Sequence, residues 1–176
     1  MKRLVSIQLV ALAFMALGFT ACGPTAVRDI YTYEQSQSYG FNVADDSALK
    51  NPPSDKARVY VMRAWKFASG AISINYYYQY EPKLDAQNKL IVEKDAYINN
   101  LMGKLSNGIK FYKDFDIGKS LLIVAGGGWS AKTYIVFTPE AGKIYCINGI
   151  YGIINGFINK KQCEKLYLKT KPKVLH

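Results

Sequence analysis

Few residues of this 176-residue chain could carry out metal or nucleophilic chemistry. The chain has three cysteines and one histidine, and that histidine, His176, is its last residue. Because terminal residues are usually poorly ordered, no Ser-His-Asp or Cys-His arrangement is expected to form around it. The cysteines and the histidine are also too few for the usual zinc site. The sequence therefore predicts no catalytic centre of these kinds, no metal site and no cofactor.

One pair of carboxylates could in principle act as an acid and a base. Asp114 and Asp116 alternate at the end of a predicted strand, so both side chains are expected on one face. Lys113 and Lys119 lie close by in the sequence, which favours a solvated, turn-capping role for the two acids. We therefore interpret the chain as non-enzymatic. An enzyme that acts on a glycan or a peptide is the alternative hypothesis.

The first 22 residues have the pattern of an export signal. Met1-Lys2-Arg3 is a short basic start, and residues 4–21 are mostly apolar. The run ends in Phe19-Thr20-Ala21-Cys22, with Gly23-Pro24 directly after it. This segment resembles the lipobox of bacterial lipoproteins, in which a small residue precedes the lipidated cysteine. The resemblance implies cleavage before Cys22, a diacylglyceryl group on its sulfur and acylation of the new amine.

This resemblance also implies a location. An uncleaved anchor is the alternative, since residues 4–21 reach the lower edge of the spanning length of about 17–25 residues. Either form leaves the rest of the chain outside the cytoplasm, so nucleic acid is not an expected partner. Gly23 stands where an Asp would retain a lipoprotein in the inner membrane. We expect a protein of the cell envelope, anchored by lipid in the outer membrane and facing the periplasm.

Cleavage would leave two cysteines besides the lipidated one. Removing 21 of the 176 residues leaves 155, and losing Lys2 and Arg3 lowers the net charge from +10 to +8. An even pair of cysteines outside the cytoplasm predicts a disulfide between Cys146 and Cys163. It would close a loop of roughly 16 residues and contribute on the order of 3 kcal/mol. Two buried free thiols are the alternative.

The remaining pattern predicts an all-β fold. The chain is 49% apolar and 20% charged, as in globular proteins. From Ala57 onward, short runs with a period of two alternate with turn signals, which favours a single small β-sandwich, immunoglobulin-like or related. The predicted divisions are a signal peptide (1–21), a lipidated N-terminus and flexible linker (22–56), the β-sandwich (57–170) and a flexible tail (171–176).

Two features could support binding. Tyr76, Tyr78 and Tyr80 are expected on one face of a strand, and Tyr77 on the other, so that some of these rings could face solvent and bind a glycan or an envelope protein. Aromatic packing between strands is the alternative. The segment 160–173 holds six lysines and one glutamate. It could contact anionic lipid headgroups, although a solvated tail is the simpler interpretation.

Several short motifs occur in a recognisable order. They are Ala57-Arg58-Val59-Tyr60-Val61-Met62-Arg63, Ile98-Asn99-Asn100-Leu101-Met102-Gly103-Lys104-Leu105, Ser106-Asn107-Gly108-Ile109-Lys110-Phe111, Ile117-Gly118-Lys119 and Pro139-Glu140-Ala141-Gly142-Lys143-Ile144-Tyr145. This order resembles the bacterial domain-of-unknown-function 2846 (DUF2846) family over about 90 residues. The resemblance implies a small β-sandwich of the kind often found in lipoproteins, with no assigned activity and no catalytic residues.

Overall fold

Two five-stranded sheets form the framework of the protein. The computed structural model describes residues 26–65, 73–87, 90–91, 97–126, 132–150 and 153–172. The predicted signal peptide, Cys22 and His176 lie outside these ranges. The described elements, in chain order, are β1 (Ala26–Ile30), α1 (Tyr33–Gln37), β2 (Lys56–Met62), β3 (Ile74–Tyr80), β4 (Leu101–Leu105), β5 (Ile109–Asp116), β6 (Leu121–Gly126), β7 (Thr133–Phe137), β8 (Ile144–Ile150), β9 (Ile153–Ile158), α2 (Lys160–Leu168) and β10 (Lys171–Pro172).

The sheets confirm the predicted all-β sandwich. Sheet A has the strand order β1-β7-β6-β3-β4, and sheet B has the order β10-β5-β2-β8-β9. Three neighbouring pairs are parallel, namely β1 with β7, β2 with β8 and β10 with β5. These pairs distinguish the molecule from an immunoglobulin sandwich, whose two sheets are antiparallel. The fold is thus a related sandwich with mixed sheets.

The space between the sheets holds the main core. Alternate residues of β2 point into it, so Val59 and Val61 are buried there while Lys56 and Arg58 point outward. The facing strands of sheet A fill the other side with residues such as Ile123 and Ile135. The period of two in β2 therefore marks the side chains that enter this core.

Each sheet also has a covered outer face. On sheet A, an apolar cluster consists of Leu90, Tyr97, Leu122, Val124, Tyr134 and Val136. On sheet B, a second cluster consists of Val43, Leu49, Tyr60, Met62, Ile144, Cys146 and Cys163. Because β6 and β7 are covered on both faces, they bury continuous apolar runs instead of alternating ones.

The predicted flexible linker is not observed in residues 26–56. Strand β1 pairs with β7 at the edge of sheet A, and the hydroxyl of Ser36 donates to the carbonyl of Thr138 at 3.0 Å. Val43 and Leu49 are buried in the apolar cluster on sheet B. These apolar contacts hold the segment against the sandwich, so the boundary predicted at Ala57 is wrong. The folded unit includes Ala26.

The C-terminal segment is also folded against the protein, which corrects the predicted solvated tail. Helix α2 begins at a capping box in which Asn159 accepts from the backbone of Gln162 and the Gln162 side chain accepts from the backbone of Asn159. Its buried residue Cys163 contacts sheet B. Beyond the helix, β10 pairs with the first residues of β5. The predicted flexible tail at 171–176 is therefore ordered at Lys171 and Pro172.

Candidate functional site

The two carboxylates that could have formed a catalytic pair are both engaged in ion pairs. Asp114 accepts two hydrogen bonds from Arg58, at 2.6 Å from Nε and 2.7 Å from Nη2. Asp116 pairs with Lys56 in the same two strands. The hydrogen bond and the charge of Lys56 hold the pKa of Asp116 below its usual value. Each acid thus has a basic partner directly across the β2–β5 ladder.

The tyrosine-rich strand does not present the exposed surface that the sequence suggests. Tyr76 is fully buried between the sheets, and the other three rings are half-buried. Tyr78 packs edge-on against Phe115 with ring centroids 5.2 Å apart, and Tyr80 contacts the same ring. Tyr77 packs against another aromatic ring on the outer face of sheet A. The alternative, aromatic packing between elements, explains all four tyrosines, and the interpretation of β3 as a binding surface is wrong.

The disulfide predicted between Cys146 and Cys163 is present. It joins β8 to α2 with a Cα–Cα distance of 5.9 Å. Cys146 points away from the main core, since its neighbours Tyr145 and Ile147 are the residues that point inward. The bond therefore fastens α2 to the outer face of sheet B. It also fixes the position of the side chains that follow Cys163 along the helix.

A cleft of about 370 Å³ opens where α2 ends. We call it the tyrosine cleft, and its lining residues are Tyr60, Met102, Gly103, Lys110, Phe111, Tyr112, Tyr167 and Pro172. Phe111 and Tyr112 are consecutive in β5, so their side chains point to opposite faces of sheet B. A cleft that both residues line must pass around the edge of β5. It thus connects the outer face of sheet B with the edge of the sandwich.

Aromatic rings form the outer wall of the tyrosine cleft. The ring of Tyr60 lies 5.3 Å from that of Tyr112 and 5.6 Å from that of Tyr167, the second pair being edge-to-face. Tyr60 is buried, whereas Tyr112 is 53% exposed. Burial raises the pKa of the Tyr167 hydroxyl. The wall therefore consists of packed aromatic rings, and Tyr112 is its most accessible member.

Two basic side chains hold these rings in place. Lys110 donates to the carbonyls of Tyr167 and Thr170 at 2.7 and 2.8 Å, and its Nζ lies 3.5 Å from the centre of the Tyr167 ring. The guanidinium of Arg58 lies 4.2 Å from the centre of the Tyr112 ring. Desolvation lowers the pKa of Lys110, while the hydrogen bond to Asp114 raises that of Arg58. Lys110 also satisfies carbonyls at the C-terminal end of α2.

The inner wall of the tyrosine cleft consists of strand edges. Among the described residues, β4 pairs only with β3, and β5 has β10 on its outer side only at Ile109 and Lys110. Gly103 brings β4 close to the cleft, since a Cβ there would lie 2.8 Å from the ring of Phe111. Beyond Lys110, the backbone groups of β5 that point away from β2 thus have no described partner strand. An edge of this kind can accept another extended segment.

Sequence reasoning missed the tyrosine cleft because it missed helix α2. Asn159 and Gln162 are three residues apart, which is the spacing of a capping box, and this signal could have indicated the start of the helix. Within a helix, Cys163 and Tyr167 lie on the same face. A disulfide from Cys163 to a strand would then have placed Tyr167 against the sheet. The signals were present, but each of them consisted of only two residues.

The described residues form neither a metal centre nor a membrane-spanning helix. Within the part of the chain that the structure describes, no three His, Cys, Asp or Glu side chains are grouped as metal ligands would be. In the same part, neither helix is long and apolar enough to cross a bilayer. Comparison with family models, with curated proteins and with solved structures found no match. The resemblances to the lipobox and to the DUF2846 family therefore remain predictions.

Proposed function

We propose that this protein is a lipid-anchored, non-enzymatic binding module of the bacterial cell envelope. The residues Phe19-Thr20-Ala21-Cys22 support the anchor, which would be attached to Cys22. The disulfide between Cys146 and Cys163 fits an oxidising compartment. Asp114 and Asp116, the strongest candidates for catalysis, are held in ion pairs with Arg58 and Lys56. An enzymatic function is therefore not the one that we favour.

The tyrosine cleft is the place where we expect a partner to bind. The observation that carries this proposal is that the cleft joins an exposed aromatic ring, Tyr112, to strand edges without a described partner. An extended polypeptide could pair its backbone with β5 and place side chains against the rings. A sugar could use only the rings, and one face of Tyr112 already carries the guanidinium of Arg58. We therefore favour an envelope protein over a glycan as the partner.

The anchor can be tested by labelling cells with a fatty-acid analogue. The wild-type chain should carry the label and sediment with membranes. The Cys22→Ala variant should lose the label, because the thioether cannot form without the sulfur. A labelled, membrane-bound Cys22→Ala variant would contradict the proposal. The Cys146→Ala, Cys163→Ala variant is a matched control, since it removes sulfur atoms elsewhere and should keep the label.

The binding role can be tested by photo-crosslinking in cells. A benzophenone amino acid at position 112 should give adducts with a polypeptide. The same group at Ile117, which is exposed in the turn after β5, should give few. When the captured polypeptide is added to the purified protein, amide exchange of Tyr112 should slow, because this amide points away from β2 and backbone pairing protects the strand edge. Equal adducts at both positions, or adducts with glycan alone, would contradict the proposal.

A further inference from the structure

The folded chain starts at one particular end of the sandwich. Ala26 pairs with Thr133 at the first residue of β7, and the hydroxyl of Thr133 accepts a hydrogen bond at 2.7 Å from the amide of Ile154. Ile154 pairs with Gly149 near the end of β8, and β8 runs parallel to β2. Strand β2 therefore also finishes at this end, which we call the anchor end.

The anchor end carries an exposed tryptophan beside basic side chains. Trp65 follows β2 and is 64% exposed. It lies against the turn before β5, where a Cβ on Gly108 would be 3.4 Å from that of Trp65. The carbonyl of Gly108 accepts a hydrogen bond at 2.8 Å from the amide of Lys171. Lys171 and Lys169, which follows α2, both have exposed side chains, so an aromatic ring and two positive charges are grouped there.

Charge is distributed unequally between the two ends. The described turns 63–65, 106–108 and 169–170 at the anchor end contain no Asp or Glu. The sequences of residues 66–72, 127–131 and 151–152, which connect strands that meet this end, contain none either. The opposite end carries the acids Asp55, Glu81, Asp116 and Glu140. The anchor end is therefore the basic end of the domain.

The anchor end must also lie near the membrane if Cys22 is lipidated. Cys22 and Ala26 are four residues apart, and an extended chain spans at most about 3.6 Å per residue, or roughly 14 Å in all. The distance of about 30 Å that a linker of residues 23–56 would allow is thus not available, because residues 26–56 are folded. Lipidation of Cys22 would therefore hold the anchor end close to the membrane surface.

We propose that the anchor end is a membrane-docking surface for bilayers that contain anionic lipid. Trp65 lies at the level of the headgroups, where an amphipathic ring is favourable, and Lys169 and Lys171 contact anionic headgroups. The proposal rests on the proposed anchor at Cys22. It adds an orientation, in which the acidic end of the sandwich points away from the bilayer.

The test uses the acylated protein in vesicles of phosphatidylcholine with phosphatidylglycerol. A Trp129→Phe background leaves Trp65 as the sole tryptophan, since the chain has two. Lipids brominated in the upper acyl chain should quench Trp65 strongly in these vesicles and weakly in pure phosphatidylcholine. Lys169→Gln with Lys171→Gln should lower the ratio of docked to undocked protein by roughly 10- to 30-fold, since each lysine contributes to the attraction.

A matched pair of substitutions controls for net charge. Lys119→Gln with Lys161→Gln removes two exposed charges elsewhere, in the turn before β6 and in the first turn of α2. This variant should keep the quenching of the parent protein. If Trp65 is not quenched in the acylated protein, or if both pairs reduce quenching equally, the docking surface is wrong while the anchor stands. If mass spectrometry finds no acyl group on Cys22, both proposals are wrong.

Discussion

The outer faces of the two sheets are covered in different ways. On sheet A, an apolar cluster that includes Leu90 and Tyr97 covers side chains such as Leu122 and Val124. On sheet B, a helix is fastened by a disulfide, and the strands beside it carry ion pairs. In the part of the chain that the structure describes, the cover of sheet A is mainly apolar. The mixed cover of sheet B ends beside the exposed ring of Tyr112 and open strand edges, which is where the candidate site lies.

The largest effect is expected from a change in the apolar cover of sheet A. Leu122→Ala should lower the free energy of unfolding by about 3–4 kcal/mol, because Leu122 is only 1% exposed and its loss leaves a cavity beneath the cover. Urea unfolding followed by circular dichroism measures the change.

The control for Leu122→Ala is Leu101→Ala, since Leu101 is 54% exposed. It should change the same quantity by less than about 0.5 kcal/mol. If the two variants were equally stable, the outer face of sheet A would not be a packed core, and the contrast between the two sheets would be lost.

The cover of sheet B should depend on its covalent bond. Replacing Cys146 and Cys163 together with Ala should lower the free energy of unfolding by about 3 kcal/mol, because the unfolded chain gains freedom when the loop is opened. Hydrogen exchange should speed up most in α2 and least in β7, which the disulfide does not touch.

Equally faster hydrogen exchange in α2 and in β7 of this disulfide variant would contradict the prediction. That result would mean that the bond stabilises the whole molecule and does not specifically hold α2. Wild-type protein treated with a reductant provides a second measurement, since it breaks the same bond without changing the sequence and should give the same regional pattern.

The two ion pairs between β2 and β5, which we call the polar half of sheet B, should give an effect of intermediate size. Asp114→Asn should lower the free energy of unfolding by roughly 1–2 kcal/mol, because the Arg58 side chain is only 11% exposed and would lose a charged partner in a partly desolvated place. Asp116→Asn should have a smaller effect, since both members of its ion pair are well exposed. Thermal unfolding of the two variants measures the difference, and equal losses would contradict it.

Much of the sandwich could be predicted from its strands. A half-buried strand needs apolar side chains on one face only, so the period of two in β2 indicated a strand. Turn signals then separated the later strands. The segment before Ala57 was harder to assign because it adds only a few apolar side chains, such as Val43 and Leu49, to a surface made by other elements. Its burial depends on residues far away in the sequence, so a local pattern of apolar residues could not predict it.

The candidate site was less predictable than the fold. The tyrosines of β3 form a dense group in the sequence, yet packing buries Tyr76 between the sheets and half-buries the other three rings. Tyr60, Tyr112 and Tyr167 are far apart in the chain, and only strand pairing and the disulfide bring them together. Density in the sequence is thus a poor guide to exposure here, because the second sheet determines which face of a strand remains open.

The smallest effect concerns the exposed ion pair of Lys56 and Asp116, which tests how far the polar half of sheet B is held by charge. The hydrogen bond from Lys56 lowers the pKa of Asp116 below its usual value of 3.8. The pair should therefore stabilise the fold above that pH, and its contribution should be lost as the pH falls through the lowered pKa. In Lys56→Met the pKa of Asp116 should return toward 3.8, and in wild type high salt should move it the same way. NMR titration of the side-chain carboxyl measures both shifts. An identical pKa in the two proteins would mean that the cation across the strand does not set the charge of this face, and that the polar half of sheet B depends on Arg58 and Asp114 alone.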